Sequence, residues 1–274
     1  MKAELITAAA LGLAAAATPA QAADDFPFRA NDNAVWATIG GQHLNYAETW
    51  QGQTPDSESG WLPGGSVGAS ILTVDDGRAP LRNFYARLEG SYSAGAADYR
   101  GQYQNGTATT TTTDETVITG SARVGRAFML LPVALIPYAE LGYRYWDRNI
   151  TGSGGYDETY HNLSYAGGLM VQYSPMRRWM LTGDGAFGYT FQARMHAQEP
   201  YNANYTLGGE PTWHVGGQVG YTFSRQWEAI GLVRYTQLGY GLSPGVNTPL
   251  GTAMEPDSIT RETTLQVGLS YHFF

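Results

Sequence analysis

From about residue 34 onward, hydrophobic and polar residues alternate along the chain with a period of two. The closing segment is the clearest: Leu265, Val267, Leu269, Tyr271 and Phe273 share one face, and Thr264, Gln266, Gly268, Ser270 and His272 share the other. Successive side chains of a strand point to opposite faces, so this pattern predicts strands with one apolar and one polar side. The same alternation sets Val215, Val219, Tyr221 and Phe223 against His214, Gln218 and Thr222. It sets Trp179, Leu181, Phe187, Tyr189 and Phe191 against Thr182, Asp184, Thr190, Gln192 and Arg194, and Leu163, Tyr165, Leu169, Val171 and Tyr173 against Asn162, Ser164, Met170 and Gln172. Extended along the chain, it predicts about ten strands near 34–50, 63–74, 82–98, 115–129, 134–148, 159–174, 178–194, 211–224, 227–242 and 259–274. Eight or twelve would also fit the spacing. In the first, Val35, Ala37 and Ile39 share a face while Leu44 and Tyr46 fall on the other, which predicts a bulge near Gly40-Gly41. The ninth changes face between Tyr235 and Leu238.

The connections alternate in length. Short ones fall at Asp75–Arg78, Leu131-Pro132, Ser174–Met176 and Ser224–Gln226; long ones are rich in Gly, Ser, Thr, Asn and Asp and include the run Thr107–Thr113. Short turns at one end and long loops at the other are the habit of transmembrane barrels. Phe128, Tyr173, Trp179, Phe223, Trp227, Tyr271 and Phe273 gather near the short turns, where an aromatic girdle belongs. The N-terminus supplies an export signal: Lys2, an apolar run from Ala8 to Ala17 too short to span a bilayer, and Ala20-Gln21-Ala22 as a cleavage site. The expected organisation is a signal peptide at 1–22, a short periplasmic segment at 23–33 and a barrel over 34–274.

Composition agrees. The chain has 35 Gly and 19 Tyr with 15% charged residues, proportions of aromatic-belted strands rather than of a helical enzyme. Cysteine is absent, which excludes a disulfide framework, a thiol nucleophile and a Cys-type zinc site. A net charge of −8 makes nucleic acid a poor partner. Lys2 is the sole lysine, so every later cation is Arg, which suits paired and partly desolvated positions.

These features, with the closing run Leu265–Phe273, resemble the bacterial outer-membrane β-barrel superfamily, including its small, omptin-sized and opacity-protein-like members. The resemblance implies a closed antiparallel transmembrane β-barrel, all-β and single-domain, with both termini periplasmic. It also implies that Leu269, Tyr271, Phe273 and Phe274 form the signal read by the barrel assembly machinery, although Phe274 adds one residue beyond the alternation. Outer-membrane lipid and lipopolysaccharide are the expected surroundings.

Candidate chemistry is sparse. Ionisable residues on the inward faces, Arg87, Glu89, Arg123, Glu140, Arg144, Asp184, Arg194, Glu228 and Arg234, are of mixed sign and predict a paired network that plugs a narrow lumen. The alternative is a narrow small-solute channel. At the outer rim, Asp157 and His161, with Asp98 on another strand, could imitate the Asp–His pair of an omptin-like protease. The acidic pair such enzymes also use is missing, since Asp98 has no acidic residue two positions away. Ser164 and His161, three positions apart, point to opposite faces and cannot hydrogen-bond without a bulge. His214 and His272 face the lumen without metal-ligand spacing. Acidic residues at Asp56, Glu58, Asp114, Glu115, Asp157, Glu158, Glu199, Glu210, Glu255 and Asp257 are expected in solvated external loops. The expectation is a non-enzymatic surface barrel, without cofactor or metal, whose external loops meet a surface ligand or serve the envelope structurally. An omptin-like rim hydrolase is the alternative.

Overall fold

The computed structural model describes residues 26–73, 82–102, 107–130, 132–152 and 154–273. The expected signal peptide and its cleavage site, the turn at Asp75–Arg78, Leu131 and Phe274 lie outside the described residues. Ten long strands form the wall: β1 Ala34–Thr49, β2 Ser57–Leu72, β3 Phe84–Gln102, β4 Ala108–Arg126, β5 Val133–Ile150, β6 Asp157–Met176, β7 Trp179–Ala197, β8 Pro211–Thr222, β9 Trp227–Gly241 and β10 Asp257–His272. Each pairs antiparallel with its chain neighbours. Strand β10 then pairs with β1 from Ala34↔His272 to Thr49↔Asp257, so the sheet closes on itself without an edge.

The outward face is the lipid face. Val67, Leu88, Leu141, Leu169, Val219, Val233 and Val267 are all exposed there. Trp179 packs against Tyr221 and Trp227 against Tyr271 near the short turns, and Trp213 against Tyr235 higher up, which gives two aromatic belts. A bilayer needs only about 10 residues of tilted strand. Strands of 16 to 20 residues, such as β1 and β6, therefore rise well beyond it. The surplus lies at the external end, where β2, β3, β4 and β7 all extend past their predicted limits. The run Thr109–Thr113 belongs to β4 rather than to a loop, with Thr113 fully buried.

Two sequence expectations about alternation need correction. Strand β1 has no bulge at Gly40-Gly41, because its register with both neighbours is unbroken. Leu44 and Tyr46 simply point inward, and the external half of the lumen is itself an apolar core. Strand β9 likewise runs straight through Leu238 and Tyr240, both buried inside. The irregularity lies in β7, where Gln192 takes φ 50 and the register with β6 slips between His161 and Leu163. One additional residue in β7 inverts its faces beyond that point. Ala193, Met195 and Ala197 turn inward, and Arg194 is exposed on the outside.

Segment 23–33 contains a short helix, α1 Phe26–Asp32, tucked into the base of the barrel. Phe28 is buried against Ala134 and Met180, and Asp32 one turn later accepts a hydrogen bond from Gln172 at 2.7 Å. Burial pushes the Asp32 carboxyl up to about 6. Asn33 ends the helix: its side chain donates to the Leu72 carbonyl and accepts from the Leu72 amide, which anchors the helix to the end of β2.

Candidate functional site

Inward-facing side chains fill the lumen in layers. The lower layer is ionic. Arg123 on β4 pairs with Glu140 on β5 and reaches Asp184 on β7 at 2.9 Å. His214 on β8 lies 3.1 Å from Asp184 and 3.2 Å from Arg123, and the Tyr138 hydroxyl is 3.3 Å from Asp184. Glu89 bridges Arg87 on its own strand and Arg234 across the lumen, while Arg87 stacks on Trp36 at 4.2 Å. Arg144 pairs with Glu262 at 2.6 Å. At the base, Glu228 lies 3.3 Å from His272. Eight of the nine expected network residues therefore face inward and are paired, though in separate clusters. Arg194 is the exception, for the reason given by the β7 bulge. A polar cavity of about 150 Å³ lies among these groups, bordered by Ser66, Ser91, Asn162 and Gln266.

The upper layer is of a different kind. Tyr46, Trp146, Tyr160 and Tyr240 pack in series with ring centroids 5.0 to 5.6 Å apart, edge-on between Tyr46 and Trp146 and stacked between Tyr160 and Tyr240. Arg148 on β5 is 1% exposed and lies over Tyr46 and Trp146. It pairs with Glu58 at 2.7 Å and with Glu158, and stands 4.0 Å from Glu48. Thr113 donates to Glu58, Trp146 to Glu115, and Tyr160 to Glu255 at 2.6 Å. Burial, with Glu158 nearby, pushes the Glu255 carboxyl up to about 8. Sequence reasoning placed Glu58, Glu115, Glu158 and Glu255 in solvated loops and overlooked Arg148. Continuing the inward alternation of β6 from Ser164 and Asn162 to Tyr160 and Glu158 would have found the layer.

Two connections fold over part of the mouth. Residues 203–206 pair back onto β7, and Ala203, Tyr205 and Leu207 are buried in the upper core. Val246–Thr248 and Gly251–Ala253 form a small hairpin between β9 and β10. Beside them a cavity of about 890 Å³ remains in the external mouth. Trp50, Tyr99, Tyr156 and Tyr201 line it with Glu48, Asp56 and the threonines Thr109 to Thr111. Burial raises the Asp56 carboxyl above its usual range, opposed by Arg148 and by the hydrogen bond from Tyr99.

The hydrolase candidates are not assembled. Asp157 and His161 sit on the outward face of β6, four residues or about 13 Å apart along the strand. Asp98 is exposed on the outside of β3, three strands away. Ser164 borders the inner cavity, on the face opposite His161. Among the described residues no group of His, Asp and Glu has the arrangement of a metal site.

Comparisons with known proteins fit this architecture. The outer membrane protease OmpT of Escherichia coli shares 10% identity over 88% of this chain and 97% of its own, with a TM-score of 0.56. A major outer membrane protein of Thermus thermophilus matches 87% of this chain and 99% of its own, at 14% identity and a TM-score of 0.41. Neisserial surface protein A matches 87% of this chain and 97% of its own, at 14% identity and a TM-score of 0.32. At these identities the likeness concerns fold alone. No curated protein matches the sequence. The family model for the outer membrane protein beta-barrel domain matches residues 6–184, and the chain belongs to that family of bacterial outer-membrane barrels.

Proposed function

We propose that this barrel is a closed, non-enzymatic surface protein that binds at its external mouth rather than passing solutes through its wall. The packed lumen carries the reading. The ionic layer around Arg123 and the aromatic layer around Arg148 lie one above the other, α1 occupies the base, and ten strands give too narrow a cylinder for a water-filled channel. The largest cavity described opens at the external end, on strand extensions that rise above the lipid. Both termini are then periplasmic, residues 1–22 are removed on export, and Leu269, Tyr271, Phe273 and Phe274 engage the assembly machinery. Lipopolysaccharide surrounds the outer belt. The hydrolase alternative draws no support from Asp157, His161 and Asp98, which lie dispersed on the outer surface.

Planar-bilayer recording tests the reading. The purified, folded barrel should show little conductance in molar salt. A large, stable, salt-filled conductance would overturn the closed-barrel reading in favour of a channel.

A further inference from the structure

We propose that the mouth cavity takes a small organic cation, an alkylammonium group held between Glu48 and Asp56 with its carbon body against Trp50, Tyr99, Tyr156 and Tyr201. This rests on the reading of the external mouth as the working face. The cavity's volume, about 890 Å³, lies in the range of small-molecule sites, roughly 300 to 1,000 Å³. Its described lining contains two carboxylates and no Lys or Arg. Neither carboxylate is freely solvated: Glu48 is 6% exposed and accepts a hydrogen bond from Tyr46, while Asp56 accepts from the Tyr99 hydroxyl and from the Gln102 amide at 3.3 Å. The backbone bond from the Glu48 amide to the Asp56 carbonyl, 2.9 Å, fixes the two on one side of the cavity.

The cation below the floor is already committed. Arg148 is committed to Glu58 and Glu158 and stands 4.0 Å from Glu48, while Glu255 approaches through Tyr160. The guanidinium nearest the floor is thus occupied, and no described Lys or Arg lines the mouth. An anion would find no cation there to pair with. A neutral saccharide could use the rings and threonines, but would gain nothing from the excess of carboxylates. A cation gains from both features, because aromatic faces and carboxylates attract it together in a partly desolvated site.

The test uses the full mature barrel in detergent or nanodiscs, with choline as the probe, 3,3-dimethyl-1-butanol as its uncharged isostere and maltotriose as a saccharide. Binding is read by ligand-observed NMR and calorimetry. Choline should bind at least tenfold more tightly than the isostere. Asp56→Asn and Trp50→Ala should each weaken it about tenfold, with heat-modifiable gel migration confirming that both variants remain folded. Equal binding of the isostere, binding of maltotriose in place of choline, no binding of choline, or choline binding unaltered in both variants would each overturn the proposal. Absence of choline binding in a barrel that does not conduct would discard the ligand class and leave the closed-barrel reading standing. Choline binding in a barrel that conducts freely would do the reverse.

Discussion

Below the middle of the barrel, Arg87, Arg123 and Arg234 are matched by Glu89, Glu140 and Asp184; above it, Arg148 stands among Glu48, Glu58, Glu115, Glu158 and Glu255, with Arg144 reaching the layer only from beneath Trp146 and paired to Glu262. In the lower layer, each cation finds a counter-ion on its own, a neighbouring or a facing strand. In the upper layer carboxyls outnumber cations, and the surplus is accommodated by tyrosine, tryptophan and threonine donors and by a hydrogen bond between Glu58 and Glu115. Two ways of filling one lumen follow. Balanced ion pairs tolerate the loss of a member if a second partner remains, whereas a layer hung on a single guanidinium does not.

Removing Arg148 should have the largest effect. Arg148→Met leaves its carboxyls buried without a cation and should destabilise the barrel by about 3 to 5 kcal/mol, read from the urea midpoint of the heat-modifiable gel shift. Adding Glu58→Gln and Glu158→Gln should restore part of the loss. An Arg148→Met barrel as resistant as wild type would show that stacking, not charge, holds this layer.

The lower layer should be more forgiving. Glu140→Ala leaves Arg123 with Asp184, so the loss should be about 1 to 3 kcal/mol. A larger loss than that of Arg148→Met would reverse the comparison.

The layers should also part on titration. Glu255 holds its proton up to about pH 8 in the folded barrel, against 4.5 unfolded. The folded state binds more protons between those values, so this contribution is fully present below the unfolded pKa and is lost as pH rises through about 8. Resistance to urea should therefore decline from about pH 4.5 to about pH 8, and Glu255→Gln should flatten the decline. Asp56, whose carboxyl burial also raises, bears on this group, so an unaltered slope in Glu255→Gln would assign the titration to it.

The smallest effects should fall outside the lumen. His161→Ala and Asp157→Asn should shift stability by no more than about 0.5 kcal/mol, and the wild-type barrel should leave dibasic peptides intact. A peptidase activity abolished by His161→Ala in folded protein would reveal a rim site that this geometry does not assemble.

The lower layer and the closing strand were legible in the sequence because their inward residues are polar and their outward residues apolar, so period and chemistry agree. Ser258, Thr260, Glu262, Gln266, Ser270 and His272 keep the inner face of β10 polar from end to end. The upper layer was not legible, since Leu44, Tyr46, Trp146 and Tyr160 reverse that correspondence: there, apolar means inward. Once the code reverses, Glu58 and Glu158 read as loop residues although they are among the most buried in the molecule. The mouth cavity is assembled from β1, β3, β4 and several connections, a proximity that no local pattern encodes.

Gln192 works like a frameshift within β7. By occupying one position that has no partner on β6, it makes every later residue of the strand read in the opposite phase, so Ala193 and Met195 enter the core and Arg194 leaves it. Removing that one residue would leave Ala193 and Met195 facing the core in a regular strand, whereas flattening the bulge with Gln192 retained would drive a guanidinium into the aromatic layer and expel two of its packing partners. Which residues the external end of β7 turns inward is therefore set by whether that one residue is bulged out of the ladder, while the lipid-facing band below it keeps its alternation unchanged.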